Sequence, residues 1–163
     1  MTASHLSWPF EAGSAAMEGN DSVADTGKTC DQRAMSFFEL DYRAWLENAL
    51  ACGIPKAVVG FAFNLYEQLG TDTRYGIEFV GTSKFDEYDS DWACAEYWEP
   101  LNGRNYSIPL SFSGENWDRC LEQMKKFIAS ILSDDTQLSR SLRSVSGIGV
   151  GFVDGDFTLI WRA

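Results

Sequence analysis

Apolar side chains recur every three or four residues in two stretches of the chain, a spacing that places them on one face of a helix. The first stretch covers residues 37–52, where Ser36 and Glu39 fit the capping box that starts many helices. The second covers residues 115–133, and its apolar stripe begins at Trp117. The pattern therefore predicts two main helices, each with one face in the core.

Between and after these stretches the apolar period changes to two, which indicates β-strands. The candidate strands are residues 57–65, 75–79, 92–98, 105–112, 148–152 and 157–161. Asp154 and Gly155 separate the last two strands, and this pair favours a type I′ hairpin turn. Gly147, Gly149 and Gly151 alternate along one strand, which predicts a backbone or helix packed close against it. We therefore predict an α+β fold with a single antiparallel sheet of five to six strands, packed with two main helices.

The first 35 residues differ in composition from the rest of the chain. Residues 11–35 are rich in Gly, Ala, Ser and Asp and contain no aromatic residue, whereas residues 6–10 (LSWPF) are apolar. This composition predicts a flexible or loosely docked lead at residues 1–35, followed by a single α+β domain at residues 36–163. The N-terminus lacks the pattern of a signal peptide, and no apolar run is long enough to span a membrane. We therefore expect a cytoplasmic protein that does not enter a membrane.

The negative charge of the chain is concentrated in one region. Residues 64–100 contain nine acidic and two basic residues, so they contribute −7 to a total of −11, whereas residues 101–163 contain seven of each. Such a local field attracts a basic partner and speeds its encounter, and the effect weakens with salt. It also disfavours nucleic acid as a ligand, because phosphates need positive charge opposite them. The charge pattern predicts a basic protein partner.

The densest acidic run is residues 85–92, and aromatic residues lie within and beside it. Aromatic side chains supply the anchors of many protein interfaces, while surrounding charges set the encounter rate and specificity. The predicted partner-binding residues are Glu67, Asp72, Glu78, Asp86, Glu87, Asp89 and Asp91, with Tyr88 and Trp92 as anchors. Two alternatives remain open for the run: a solvated acidic loop without a partner, and a divalent-cation loop, although its spacing does not fit an EF-hand.

Few residues in the sequence suggest catalysis. The one histidine, His5, lies in the predicted lead, and Asp154 with Asp156 is explained by the preference of Asp for turns. The four cysteines lack metal-site spacing, so we expect mostly buried thiols in a reducing compartment. We predict a protein that is not an enzyme and has no cofactor or metal. The alternatives are a small enzyme, hydrolytic or metal-dependent, that uses acidic-loop carboxylates, and a homo-oligomer that pairs through an edge strand at Pro109.

Several segments also carry a resemblance to a known class of proteins. They are residues 62–67 (AFNLYE), 76–81 (GIEFVG), 85–86 (FD), 91–94 (DWAC) and 150–156 (VGFVDGD). In this order they resemble small bacterial immunity proteins encoded beside polymorphic or contact-dependent toxins, over about residues 54–161. The N-terminal lead is not part of that pattern. The resemblance implies an inhibitor of a cognate bacterial toxin, and the leading hypothesis is an acidic binding protein that neutralises a basic protein partner.

Overall fold

Both predicted helices are present, and two shorter ones accompany them. The computed structural model describes residues 35–163, so the predicted lead lies outside the described residues except for Met35. The helices are α1 (Phe37–Ala51), α2 (Leu110–Ser113), α3 (Trp117–Ser133) and α4 (Gln137–Leu142). The capping box at the start of α1 is confirmed: the Ser36 hydroxyl accepts a hydrogen bond from the Glu39 amide, and the Glu39 carboxylate accepts one from the Ser36 amide.

The strands form one six-stranded sheet, and the predicted α+β class is confirmed. They are β1 (Gly60–Glu67), β2 (Thr73–Thr82), β3 (Glu96–Trp98), β4 (Asn105–Pro109), β5 (Gly147–Phe152) and β6 (Phe157–Arg162). The order is β3-β2-β1-β5-β6, and β4 also pairs with β2. Four of the five pairings are antiparallel, as predicted, but β1 and β5 run parallel. A parallel pair needs a long connection between its strands, which residues 68–146 supply.

Three local predictions need correction. Residues 92–98, predicted as one strand, are divided between a 3-10 helix (Ser90–Cys94) and β3. The strand predicted at residues 105–112 ends at Pro109, and the residues after it form α2. The type I′ turn is wrong, because such a turn needs positive φ at both central residues and Gly155 is not among the described glycines with positive φ. The hairpin loop is instead four residues long, and the Gly155 amide donates to the Phe152 carbonyl at 3.0 Å.

The main core lies between the helices and one face of the sheet. Alternate residues of β1 and β2 point into it, including Phe63 and Phe79, whose rings stack 4.8 Å apart. Facing them is an aromatic cluster made of Phe38, Tyr42, Trp45, Tyr106, Phe112 and Phe127. The cluster packs α1, α2 and α3 against β4.

The hydroxyl of Tyr42 is anomalous within this cluster. The side chain is fully buried, its Oη has no hydrogen-bond partner within residues 35–163, and burial raises its pKa well above the ordinary value. Because a buried polar group without a partner costs free energy, Tyr42→Phe should raise the free energy of unfolding by about 1 kcal/mol. Tyr75→Phe is the matched control: the Tyr75 hydroxyl donates to the Glu115 carbonyl at 3.1 Å, so its loss should lower stability by about 1 kcal/mol. Urea denaturation measures both, and an equal loss of stability in the two variants would show that Tyr42 has a partner.

Candidate functional site

The sheet face turned away from the helices carries a second, smaller core. It contains Ala62 and Val80 from the sheet, together with Trp92 and Ala93 from the 3-10 helix that follows β2. The Trp92 ring lies 5.2 Å from the ring of Phe85 and 5.4 Å from that of Phe157, with edge-on geometry in both cases. These contacts anchor residues 85–92, which we call the acidic loop, to the sheet.

Glycines in the sheet make room for these rings. Gly60 of β1 is the cross-strand neighbour of Gly147 of β5, so together they form a flat patch of backbone. A Cβ atom on Gly60 would lie 2.8 Å from Cζ3 of Trp92, and one on Gly147 would overlap the Phe85 ring. The predicted close approach to the alternating glycines is present. At Gly151 the neighbour is the backbone of Asp156 and Phe157, as predicted, whereas at Gly147 and Gly149 the neighbours are aromatic rings.

The acidic loop is held in shape by its own carboxylates. The Asp86 side chain accepts a hydrogen bond from the Tyr88 amide at 2.9 Å, and the Asp89 side chain accepts one from the Asp91 amide at 3.0 Å. The second bond caps the start of the 3-10 helix. Glu87 forms an ion pair with Arg162 at the end of β6. The loop is thus fixed at its core contacts, at its internal bonds and at this ion pair.

The structure separates the two predicted anchors. Tyr88 is 90% exposed at the tip of the loop, with Asp86, Asp89 and Asp91 exposed around it. Trp92 is only 5% exposed, so its prediction as a surface anchor is corrected: the ring is buried between Phe85 and Phe157. The three aspartates line an open cleft of about 670 Å³, together with Lys84, Cys94 and neighbouring residues.

Glu78 has a different role from the loop aspartates. It lies in the middle of β2, where its carboxylate binds Arg104 at 2.9 Å. Arg104 also binds Glu96 at 2.8 Å and Glu99 at 3.5 Å. The hydrogen bond to Glu96, above all, raises the pKa of the arginine beyond its already high ordinary value. This network ties β2, β3 and the connection before β4 together, and it partly neutralises three of the nine acids counted in the sequence.

Glu67 and Asp72 lie at the opposite end of the sheet from the acidic loop. Glu67 is the last residue of β1, whereas the loop packs beside Gly60, the first. With seven steps of about 3.3 Å between Gly60 and Glu67, β1 separates them by roughly 23 Å. The predicted surface is therefore not continuous. We call the end of the sheet that carries the acidic loop the loop end. The opposite end, which carries the β1–β2 and β5–β6 connections, is the turn end.

No group of three or more His, Cys, Asp or Glu side chains within residues 35–163 is arranged to hold a metal ion. His5 lies outside that range. None of the helices α1 to α4 is long and apolar enough to cross a bilayer.

The described cysteines correct the expectation of mostly buried thiols. Cys52 and Cys94 are exposed thiols, and Cys120 is a buried one. Burial raises the pKa of Cys120 to about 12, so this thiol stays protonated at neutral pH. Cys30 lies outside the described residues.

Comparisons with protein-family models, curated proteins and solved structures gave no match. The resemblance to immunity proteins therefore stays a prediction.

Proposed function

We propose that the chain is an acidic binding protein that neutralises a basic protein partner through its loop end. The observation that carries the proposal is the arrangement around Tyr88. An aromatic ring that is 90% exposed shares one loop with Asp86, Asp89 and Asp91, and none of these three carboxylates forms an ion pair within residues 35–163. Their charge therefore remains available to a partner. In this proposal the chain catalyses no reaction itself.

The geometry suits fast and specific association. The three aspartates outnumber Lys84, the basic residue of the same cleft, so the net field there is negative and steers a basic protein. An exposed tyrosine supplies contact area at low entropic cost. The contacts of Trp92 and the bond from the Asp91 amide to Asp89 order the loop before binding, so less conformational entropy is lost when the partner docks.

We propose further that the partner is a bacterial toxin domain and that binding takes place in the cytoplasm. The toxin assignment rests on the resemblance of the sequence segments to immunity proteins. It fits the charge, because many toxins that cut nucleic acid carry basic clefts that an acidic loop can occupy. The cytoplasmic assignment is supported by the thiols of Cys52, Cys94 and Cys120, which suit a reducing compartment.

The test is capture of partners from a lysate of the source organism with three baits. The loop-end bait carries Asp89→Asn and Asp91→Asn, because asparagine keeps the side-chain acceptor that caps the 3-10 helix while it removes two charges. The control bait carries Asp41→Asn and Glu47→Gln, which remove the same charge from the exposed surface of α1. We expect the wild-type and control baits to retain a basic protein at low salt, and the loop-end bait to retain several-fold less of it.

Different results would contradict the binding function and the toxin assignment. If no basic protein is retained by the wild type at any salt concentration, the binding function is wrong. If a basic protein is retained but does not harm cells when it is expressed without this chain, binding stands and the toxin assignment is wrong.

A further inference from the structure

The turn end presents large apolar side chains to solvent. Leu69, in the β1–β2 connection, is fully exposed, and Val153 in the β5–β6 loop is 58% exposed. Trp117 is 59% exposed at the first turn of α3, although the sequence places it at the head of a core stripe. Soluble proteins commonly expose single apolar residues, but a group of them on one surface is typical of an interaction site.

Contacts within the fold bring these residues to the same end. The parallel pairing of β1 and β5 aligns Leu65 with Phe152, so the connections that follow the two strands leave the sheet side by side. The Val153 amide donates to the Leu65 carbonyl at 2.9 Å. The Trp117 ring lies 6.2 Å from the Phe152 ring, edge-on. Leu69 reaches this region because it shares an open cleft of about 420 Å³ with Glu115, two residues before Trp117.

Acidic residues flank these apolar side chains along the chain. They are Glu67, Asp72, Glu115, Asp118, Asp154 and Asp156, all of them exposed. None of the six forms an ion pair within residues 35–163, and the basic residues close to them are Arg74 and Arg119. Six acids against two bases leave a charge of −4 on this surface. An apolar surface with this rim is complementary to a basic protein segment that also carries apolar side chains.

We infer that the turn end is a second docking surface, separate from the loop end, for a basic protein segment that inserts an apolar side chain beside Leu69 and Trp117. The separation follows from the roughly 23 Å that β1 spans between the two ends. Acidic charge alone would attract any cation at either end. The apolar residues distinguish the turn end, because they increase its affinity for a segment that alternates basic and apolar residues.

The test is an NMR titration of the isotope-labelled full chain with two synthetic hexapeptides. One alternates arginine with leucine, and the other alternates arginine with serine. We expect the arginine–leucine peptide to shift the amide signals of Leu69 and Val153 and the indole signal of Trp117, and to bind the turn end roughly tenfold more tightly than the arginine–serine peptide. Equal affinity of the two peptides, or shifts confined to the loop end, would overturn the inference.

Matched variants make the test specific. Leu69→Ser should weaken binding of the arginine–leucine peptide roughly tenfold, and because Leu69 is fully exposed the variant keeps the fold. Leu101→Ser removes a leucine that is 85% exposed outside the turn end and should leave the affinity unchanged. The loop-end variant with Asp89→Asn and Asp91→Asn should also bind this peptide like the wild type. An unchanged affinity in Leu69→Ser would contradict the inference whatever the lysate experiment shows, so the two proposals can fail separately.

Discussion

Replacing Trp92 by alanine should lower the free energy of unfolding by about 3–5 kcal/mol, the usual cost of deleting a large buried aromatic side chain. The ring fills the space between Phe85, Phe157 and the flat patch at Gly60, so its loss leaves a cavity between them. We also expect the variant to bind its partner more weakly, because the acidic loop loses its main attachment to the sheet.

Tyr88→Ala is the control for this prediction. Tyr88 lies in the same loop but is exposed, so its truncation should change the free energy of unfolding by less than about 0.5 kcal/mol. Urea denaturation of the two variants measures the contrast. If Trp92→Ala proved as stable as Tyr88→Ala, the loop would not be anchored through Trp92, and the account of a pre-ordered binding loop would be wrong.

Gly147→Ala is expected to lower the free energy of unfolding by about 1–3 kcal/mol, the range for overpacking a filled site. The added methyl group would overlap the Phe85 ring, so the ring has to leave its place beside Trp92. Alanine otherwise suits a strand at least as well as glycine, and loss of stability here therefore reports the steric conflict alone.

The same substitution at Gly155 separates this conflict from a general effect of the Gly→Ala change. The nearest atom to a Cβ at Gly155 is the Phe152 Cβ at 3.5 Å, an ordinary contact, and the backbone there does not need positive φ. Gly155→Ala should leave thermal and urea unfolding unchanged or slightly improved. Equal stability of the two variants would show that the Phe85 ring does not pack against Gly147.

Local signals in the sequence were sufficient for the helices and for most of the strands. The capping box at Ser36 and Glu39 depends only on residues three apart, and the structure contains both of its hydrogen bonds. Alternation along residues 57–65 and 148–152 predicted β1 and β5 because one face of each strand is buried in the main core. These predictions required no knowledge of the tertiary fold.

Pairing between distant segments was beyond the same reasoning. The alternation of β1 and β5 is identical in a parallel and an antiparallel sheet, so the pattern could not show that their C-terminal ends lie together. As a result, the acids counted between residues 64 and 100 looked like one surface, while Asp154 and Asp156 of the turn end were explained as hairpin residues. The alternating glycines were the sequence signal of the second core, because they indicated a close neighbour, although the neighbour predicted there was a backbone or helix and not an aromatic ring.

Whether an aromatic or acidic residue is available to a partner also depends on tertiary contacts. Trp92 and Tyr88 are four residues apart, yet Trp92 is buried and Tyr88 is exposed, since only Trp92 packs on the flat patch at Gly60. Glu78 resembles Asp89 in the sequence, but it is paired with Arg104, which comes from the connection before β4. A charge count cannot distinguish a paired carboxylate from an unpaired one.

The central claim is that the unpaired carboxylates of the loop end recruit a basic protein, and the rate of association with the captured partner tests it most directly. Stopped-flow measurements would compare the wild type, the loop-end variant (Asp89→Asn with Asp91→Asn) and the control variant (Asp41→Asn with Glu47→Gln) over a series of salt concentrations. The account predicts a several-fold slower association for the loop-end variant at low salt, convergence with the wild type at high salt, and little change for the control. Equal rates for the two variants at low salt would contradict it, because the charge would then act through the whole molecule and not through the loop.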